Sequence, residues 1–586
     1  MSHSAPGGVG AEGARPGEMI RSGLVGLRLL SRGRLLASWS TVALVVLGCS
    51  LLYELDSAQC ATDSDCESKG PSFAGTECVA SLCVTPAATG GSTGGGGGAG
   101  DAGAGDAECV EHMDCVNARH GNPHLCRQGS CVSLTLPKEC PVVLGLGKDN
   151  ENLKRPDPIV FGAYSHVDPT APRLAVPTFN YELAINEVNE RGGLSGGSGG
   201  TRRPFLAVVC SGTDSPDLAA SLGHLVDDLG VPAILSSLHG LDLLEAFETK
   251  GLPNNVFFLS PLEADSKLSN LPDSGLLWHM LTSATELAPA YLPLLERTER
   301  WVRAQLDLSE EDPIRVAVVD ARIPFLTDIV DYLVEHGRFN GKSFTQNAND
   351  GNLERLIIDS AILESNPDVS GALGRLQQFK PHIVLAVASA EFTRLRDSYE
   401  AGLPSSEFKP FYLASPYLFG LLEFAENAPA NRTLGVNFAG AEDRSLYDAY
   451  LLKLKSTYGS SGLLLDGSEN FYDAAYYLMY AIAGAGNPPR LTGREVALGM
   501  ARLVDGQVQF EVGRRIADAI DTLESTAAAT ISLHGTMGPP TFNTSTGVRR
   551  GLPSIYCIEG GTFVQDAMTY NPDLEELEGE PCIDGF

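Results

Sequence analysis

The chain has 586 residues, which is too long for a single hydrophobic core, and its 43% hydrophobic and 20% charged residues are typical of globular protein. The formal net charge of −31 excludes sequence-independent binding to nucleic acid, because such binding needs clustered lysine and arginine. Of the thirteen cysteines, ten lie between Cys49 and Cys140. This crowding predicts a disulfide-rich front part of the chain in an oxidising compartment.

The first predicted element is an apolar segment, ASWSTVALVVLGCS, which follows a region with five arginines. This order predicts a secretory signal peptide over residues 1–48. The ending VLGC is similar to a bacterial lipobox, which implies a lipid on Cys49 and a membrane anchor in the periplasm or at the outer membrane and cell surface. The alternative is an uncleaved helix, because the 19 residues LLASWSTVALVVLGCSLLY could just span a bilayer.

Two short cysteine-rich segments follow, with spacings C-x5-C-x11-C-x4-C and C-x5-C-x10-C-x4-C. Segments of this size cannot bury a core, so two disulfides in each are expected to stabilise them, with the pairing left open. Zinc is a weaker alternative, because neither the spacings nor the compartment suit a zinc ribbon. The Gly-rich linker 88–107 between them is expected to be a flexible tether. Module 1 (49–87, with the anchor) contains Cys60, Cys66, Cys78 and Cys83; module 2 (108–135) contains Cys109, Cys115, Cys126 and Cys131.

From about residue 136 the chain alternates short apolar runs with helical stretches, which predicts an α/β protein with parallel sheets covered by helices on both faces. The alternation restarts after a helical stretch near 285–307, so two lobes are expected. The predicted strands are PIVFGAYS, FLAVVCS, VPAILSS, NVFFLSP, IRVAVVD, PHIVLAVAS and FYLASP; the predicted helices cover 178–191, 215–229, 240–250, 325–337 and 390–402.

The order of these elements resembles that of the type I periplasmic binding proteins, in the leucine/isoleucine/valine-binding and receptor ligand-binding branch. AINEVNERGGL resembles the family's first helix, VPAILSSLHG and NVFFLSPLEADSKL its ligand-facing loops, and ENFYDAAYYLMYAIAGAG its return helix. MGPPTFNTSTGVRRG and IYCIEGGTFV resemble its closing hairpin. The cysteine-rich modules are similar to repeats of myxobacterial surface lipoproteins.

The resemblance implies a domain over 136–586 whose two lobes close on a small molecule at the carboxyl ends of their strands. It places lobe 1 at about 136–300 and 430–540, and lobe 2 at about 301–429 and 541–586. The candidate ligand-binding residues follow from matching positions after the strands. They are Ser165, Ser236, Ser237, His239, Glu263, Asp265, Phe325, Ser389 and Tyr417. For each serine a helix cap or turn is an equal alternative, and for His239 a surface position is the simpler interpretation.

Two departures from the family concern the anchors for an α-amino acid. The loop that holds the ligand carboxylate in amino-acid-binding relatives is typically built of Gly, Ala and Thr, whereas here it contains Glu263. The acidic residue that meets the ligand ammonium is replaced by Pro416 and Tyr417. We therefore expect a ligand other than an ordinary α-amino acid, either neutral or cationic, because a second carboxylate would be repelled.

No motif in the sequence joins a nucleophile to a base and an acid, so the resemblance implies binding without catalysis, and neither a metal nor a cofactor is expected. Two disulfides are expected among Cys140, Cys210, Cys557 and Cys582, with a local loop between Cys557 and Cys582 as one possibility. The leading interpretation is a lipid-anchored solute-binding protein with an ABC-type permease as partner. The alternative is a cell-surface receptor or interaction lipoprotein without a transport role, which the cysteine-rich modules favour.

Overall fold

The computed structural model describes most of the chain after residue 107 and a few residues before it. The predicted signal peptide, Cys49, Cys60, Cys66, the tether and Ser165 lie outside the described residues. Within them, no helix combines the length and the apolar composition that a bilayer span requires. The described residues are 62, 77–79, 82–84, 108–119, 122–127, 129–155, 157–164, 176–195, 202–211, 215–358, 368–438, 444–459, 468–486, 488 and 491–586.

Each of the two cysteine-rich modules contains a β-hairpin. In the first, Glu77–Val79 pairs with Leu82–Val84, which places Cys78 opposite Cys83. In the second, His124–Arg127 pairs with Ser130–Ser133, which places the corresponding two cysteines opposite each other. The second module is closed by the disulfides Cys109–Cys126 and Cys115–Cys131, so the pairing that the spacing left open is first to third and second to fourth.

The first large sheet is built mostly from consecutive, fully buried apolar strands, as expected for a parallel sheet covered on both faces. Strand β2 lies between β3 and β4, so the chain turns to opposite sides of β2 on successive crossovers. This reversal places a crevice at the carboxyl ends of β2 and β4. The strands are β1 (Val142–Leu144), β2 (Ile159–Tyr164), β3 (Phe205–Cys210), β4 (Ala233–Ser236), β5 (Phe257–Ser260) and β6 (Leu277–His279).

A second sheet repeats this plan, with its first strand, β7, between β8 and β9. Strands β7 to β11 pair in parallel, and each is followed along the chain by helical or turn segments. The strands are β7 (Val316–Asp320), β8 (Leu353–Ile357), β9 (Ile383–Val387), β10 (Phe411–Ala414) and β11 (Thr433–Asn437). Strands β6, β8 and β11 were not predicted, because each lacks a long apolar run.

The C-terminal part adds one hairpin to each sheet. Strands β12 (Phe542–Asn543) and β13 (Val548–Arg549) extend the first sheet beyond β6. Strands β14 (Ser554–Glu559), β15 (Thr562–Asn571) and β16 (Glu576–Gly579) extend the second sheet in antiparallel fashion beyond β11. The segments predicted as one closing hairpin therefore belong to two hairpins in different lobes.

The helices bury the faces of both sheets in three apolar clusters, one in the second lobe and two on the faces of the first sheet. Helix α9 contributes to the first-lobe core along nearly its whole length, so its aromatic run is core packing. The main helices are α1 (Val176–Glu190), α2 (Ser215–Gly223), α3 (Gly240–Ala246), α4 (Tyr291–Leu306), α5 (Pro324–His336), α6 (Ser370–Phe379), α7 (Glu391–Gly402), α8 (Arg444–Tyr458), α9 (Ser468–Gly484), α10 (Gly493–Ala501) and α11 (Ile516–Ser525).

Helix α1 ends where the glycines of NERGGL allow a reversal of the chain. Gly193 has a φ of 68°, and a Cβ at this position would lie 2.2 Å from the carbonyl oxygen of Arg203. Only glycine fits both the left-handed conformation and this close approach. The motif is therefore a packing and turn element of the first lobe.

The chain crosses between the lobes at three places, and their positions differ from those predicted. Helix α4 packs in the second-lobe core, so the first crossing lies at 280–290, before the predicted position near 300. Strand β11 belongs to the second sheet and β13 to the first, so the other crossings follow residues 437 and 549, later than predicted. The crossings thus lie several residues from the boundaries placed at about 300, 430 and 540, because crossing segments carry no distinctive composition.

The second cysteine-rich module is part of the first lobe, which corrects the predicted boundary at residue 136. Its residues Val116, Leu125 and Leu134 lie in the same buried cluster as strands β2 and β3. The Cys140–Cys210 disulfide joins the segment after the module to the end of β3. The physical reason is size, because so short a module buries its apolar side chains only against a neighbour.

Candidate functional site

Polar side chains line the carboxyl edge of the first sheet. The strand register places Tyr164 beside Ser236 and Ser260 beside His279, and all four residues are buried. Ser260 and His279 were not predicted as site residues. The serine could have been found from the sequence, since it is the last residue of the strand in NVFFLSP. His279 could not, because β6 has no recognisable strand pattern.

The loop after β4 contains three predicted site residues. The Ser236 hydroxyl accepts the amide of Leu238 at 3.4 Å, and the Ser237 hydroxyl lies 3.5 Å from the hydroxyl of Tyr181. His239 is exposed and precedes the first turn of α3. Ser236 thus has the turn-stabilising role that was the alternative in the sequence, whereas Ser237 contacts helix α1. Neither hydrogen bond joins a serine to His239.

Glu263, in the loop after β5, turns its carboxylate into its own backbone. Oε1 accepts the amides of Ala264 and Asp265 at 2.8 and 2.7 Å, and Oε2 accepts the amide of Gly240 at 2.7 Å. The side chain thereby ties the β5 loop to the start of α3. Burial raises the pKa of this carboxyl, and the three N–H donors oppose that shift.

The same loop contacts the second lobe. The hydroxyl of Ser266 donates a hydrogen bond to the carboxylate of Asp328 on α5. Asp265 accepts the amide of Lys267 at 2.8 Å, and its pKa is raised by burial and by the charges of Glu263 and Asp328. Three carboxylates from two lobes therefore lie close together at this point of the cleft.

Aromatic side chains form the second-lobe wall opposite this loop. Phe325 stacks on Tyr417 with ring centroids 5.5 Å apart and contacts Phe438 at 5.7 Å. Burial raises the pKa of Tyr417 well above its usual range, and the charges of Glu263 and Asp265 add to the shift, so Tyr417 faces the acidic loop across the cleft. Predicted site residues from both lobes are thus brought together.

Two further polar groups lie at the carboxyl edge of the second sheet. Ser389 is half-buried, and its amide donates to the Glu391 carboxylate at 2.8 Å, which is a turn at the start of α7. Asp320, fully buried at the end of β7, accepts Arg355 at 2.7 Å and was not predicted. Its position as the last residue of IRVAVVD is the signal that could have found it. The pair holds the end of β7 to β8.

No protein-family model matches the chain. No curated protein matches it in sequence. Among solved structures it is similar to a branched-chain amino acid ABC transporter protein of Thermus thermophilus with bound valine, with a TM-score of 0.51, 18% identity, and coverage of 72% of this chain and 98% of the other. The leucine-binding protein LivK of Thermotoga maritima gives a TM-score of 0.49 at 13% identity, with coverage of 71% and 99%. LivJ of Streptococcus pneumoniae, solved with isoleucine, gives 0.48 at 12% identity, with coverage of 70% and 100%.

The similarity to the Thermus thermophilus structure shows the fold. The predicted fold class is confirmed: two α/β lobes of the type I periplasmic-binding-protein architecture follow a disulfide-rich N-terminal part.

Proposed function

We propose that the protein is an extracytoplasmic solute-binding protein that closes its two lobes on a small ligand, without catalysing a reaction. The observation that carries the proposal is the cleft itself. The carboxyl-end loops after β4 and β5 meet the aromatic wall of Phe325 and Tyr417 from the other lobe. Parallel sheets place ligands at this edge, and closure removes a ligand from water. A lipid anchor at Cys49 and an ABC-type permease as partner belong to the same proposal.

We further propose that the ligand is neutral or cationic and is not an ordinary α-amino acid. Three loop amides that could receive an anionic group are already taken by the Glu263 carboxylate. Asp265 and Asp328 add negative charge beside them, and a ligand carboxylate would be repelled. The aromatic faces of Phe325 and Tyr417 suit the apolar body or the cationic head of a ligand.

Native mass spectrometry of the purified protein, before and after unfolding and refolding, tests the binding function. A retained ligand gives a defined extra mass that disappears on unfolding, and adding it back raises the melting temperature by mass action. Calorimetric titration with leucine tests the ligand class. We expect no binding of leucine at millimolar concentration, and tight leucine binding would contradict the assignment.

A cell-surface receptor without a transport role is the second candidate, and one observation favours it. The second cysteine-rich module shares a core with the first lobe, so it adds a fixed surface to that lobe. A binding protein that only delivers a solute does not need this surface. Permease and ATPase genes next to the gene for this chain would support transport, and their absence would support the receptor.

A further inference from the structure

A cavity of about 1850 Å³ lies where the chain crosses between the lobes. Its walls come from the first crossing at Met280–Thr282, from the residues that flank the second, Phe438 and Arg444, and from the third at Arg549–Pro553. Helices α4 and α5 and strand β15 complete it. Most sites for small molecules have volumes of about 300 to 1,000 Å³, so this cavity has room for an extended ligand.

Much of the cavity lining is apolar. Proline and leucine side chains of α4 and of the third crossing line it, together with the rings of Tyr332 and Tyr570. Leu552, in the third crossing, is half exposed. A hydrocarbon chain or ring system placed here would remove this surface from water, which stabilises binding by about 25 cal/mol for each Å² buried.

Three of the acidic side chains that line the cavity have arginine partners of their own. Glu296 pairs with Arg300 at 2.5 Å, and Glu299 pairs with Arg303 at 2.7 Å. The remaining pair is looser, with Arg550 3.8 Å from the carboxylate of Glu286. Of the carboxylates along the described walls, Glu575 alone has no arginine partner. Most of the negative charge in the cavity is therefore already compensated.

Three arginines of the cavity, in contrast, form no ion pair with any described residue: Arg338, Arg444 and Arg549. Arg549 is only 6% exposed, and its Nη2 donates to the carbonyl oxygens of Met537 and Pro539 at 2.7 and 3.1 Å. Asp473 acts on it through space, but that carboxylate is bonded to the amides of Thr536 and Met537. A buried guanidinium at a cavity wall without a direct carboxylate is costly unless an anion meets it.

We propose that this hinge cavity binds an amphipathic organic anion, with a carboxylate directed at Arg549 and Arg444 and a hydrocarbon body against the proline and leucine side chains of the lining. The site lies on the crossing segments, shares only Phe438 with the described aromatic wall of the ligand cleft, and goes beyond the proposed solute-binding function. Because all three crossings contribute to its walls, an occupant contacts the segments that must bend when the lobes move. Binding here is thereby coupled to the opening of the cleft.

Calorimetric titration of the full-length protein with sodium decanoate, below its aggregation concentration, tests the proposal. We expect one decanoate for each chain, and binding of decyltrimethylammonium at least tenfold weaker. Gln565 on the cavity wall allows a matched test of charge. Gln565→Glu should weaken decanoate binding several-fold and Gln565→Lys should strengthen it, as expected for charges in a partly desolvated site.

Arg444→Gln should weaken decanoate binding about tenfold, the loss of one charge-assisted contact. The control is Arg494→Gln, which removes an exposed arginine on α10 outside the cavity and should leave the affinity unchanged. Arg549 is a poor test residue, because its carbonyl bonds also stabilise the third crossing. The proposal would be overturned if decanoate did not bind saturably. It would also be overturned if the two Gln565 variants and Arg444→Gln bound decanoate as tightly as the wild type.

Discussion

The inward orientation of Glu263 leads to a specific prediction for Glu263→Gln. The carboxylate accepts three amides, whereas the glutamine amide has one acceptor oxygen and presents an NH₂ group to at least one of them. A hydrogen bond to a charged group contributes about 1.5–3 kcal/mol. Loss of one such bond, partly offset by relief of the buried charge, should destabilise the loop by about 2 kcal/mol.

Hydrogen exchange measured by mass spectrometry reports on this loop directly. A loss of about 2 kcal/mol in local opening free energy corresponds to about thirtyfold faster exchange. We expect this change in peptides covering Gly240, Ala264 and Asp265. Glu248→Gln is the matched control, because Glu248 is exposed on the same lobe. Unchanged exchange together with altered ligand affinity would refute the reasoning, since Glu263 would then face the ligand.

Three further predictions concern stability. Burial lowers the pKa of His279 from 6.5 to about 4. As the pH falls, the unfolded chain therefore binds a proton at this histidine before the folded chain does. The stability that is present above pH 6.5 is lost as the pH falls towards 4. The contribution of His279 to this loss is up to about 3 kcal/mol in urea denaturation. That contribution should be absent in His279→Leu and present in the exposed control His336→Gln. Asp473→Asn leaves one acceptor oxygen for the amides of Thr536 and Met537 and should cost about 2 kcal/mol in the same assay. An unchanged midpoint would contradict the role of Asp473 in holding the segment before β12. Replacing Cys140 and Cys210 together by serine removes a disulfide that spans 70 residues, and this should cost up to about 4 kcal/mol of stability. The second module should then become sensitive to proteolysis. Protease resistance equal to that of the wild type would show that packing alone holds the module on the first lobe.

Much of the architecture follows from local sequence patterns. Continuous apolar runs, such as FLAVVC and IVLAV, predict buried strands because a strand buried on both faces needs apolar residues at every position. The paired cysteine spacings predicted two equivalent modules, and both contain the same hairpin. The short strands β6, β8 and β11 escaped prediction, since three to five residues carry too little periodicity and are strands only because neighbours pair with them.

The sequence could name the loops of the candidate site but could not orient their side chains. It placed Phe325 and Tyr417 after separate strands, and only folding stacks them. It marked Glu263 as unusual, but whether a carboxylate faces a ligand or its own backbone depends on which amides the fold brings within reach. The amide of Gly240, at the start of α3, donates to the Glu263 carboxylate and helps to hold it turned towards the backbone.

The sequence by itself therefore determined the α/β class, the paired cysteine modules and the loops that end at the cleft, because these depend on residue type and spacing along the chain. The tertiary structure alone decided the disulfide pairing, the lobe crossings, the docking of the second module and the charge balance at the hinge. Each of these depends on contacts between residues far apart in the chain, such as Cys140 with Cys210 and Met537 with Arg549. Local patterns carry no record of such contacts.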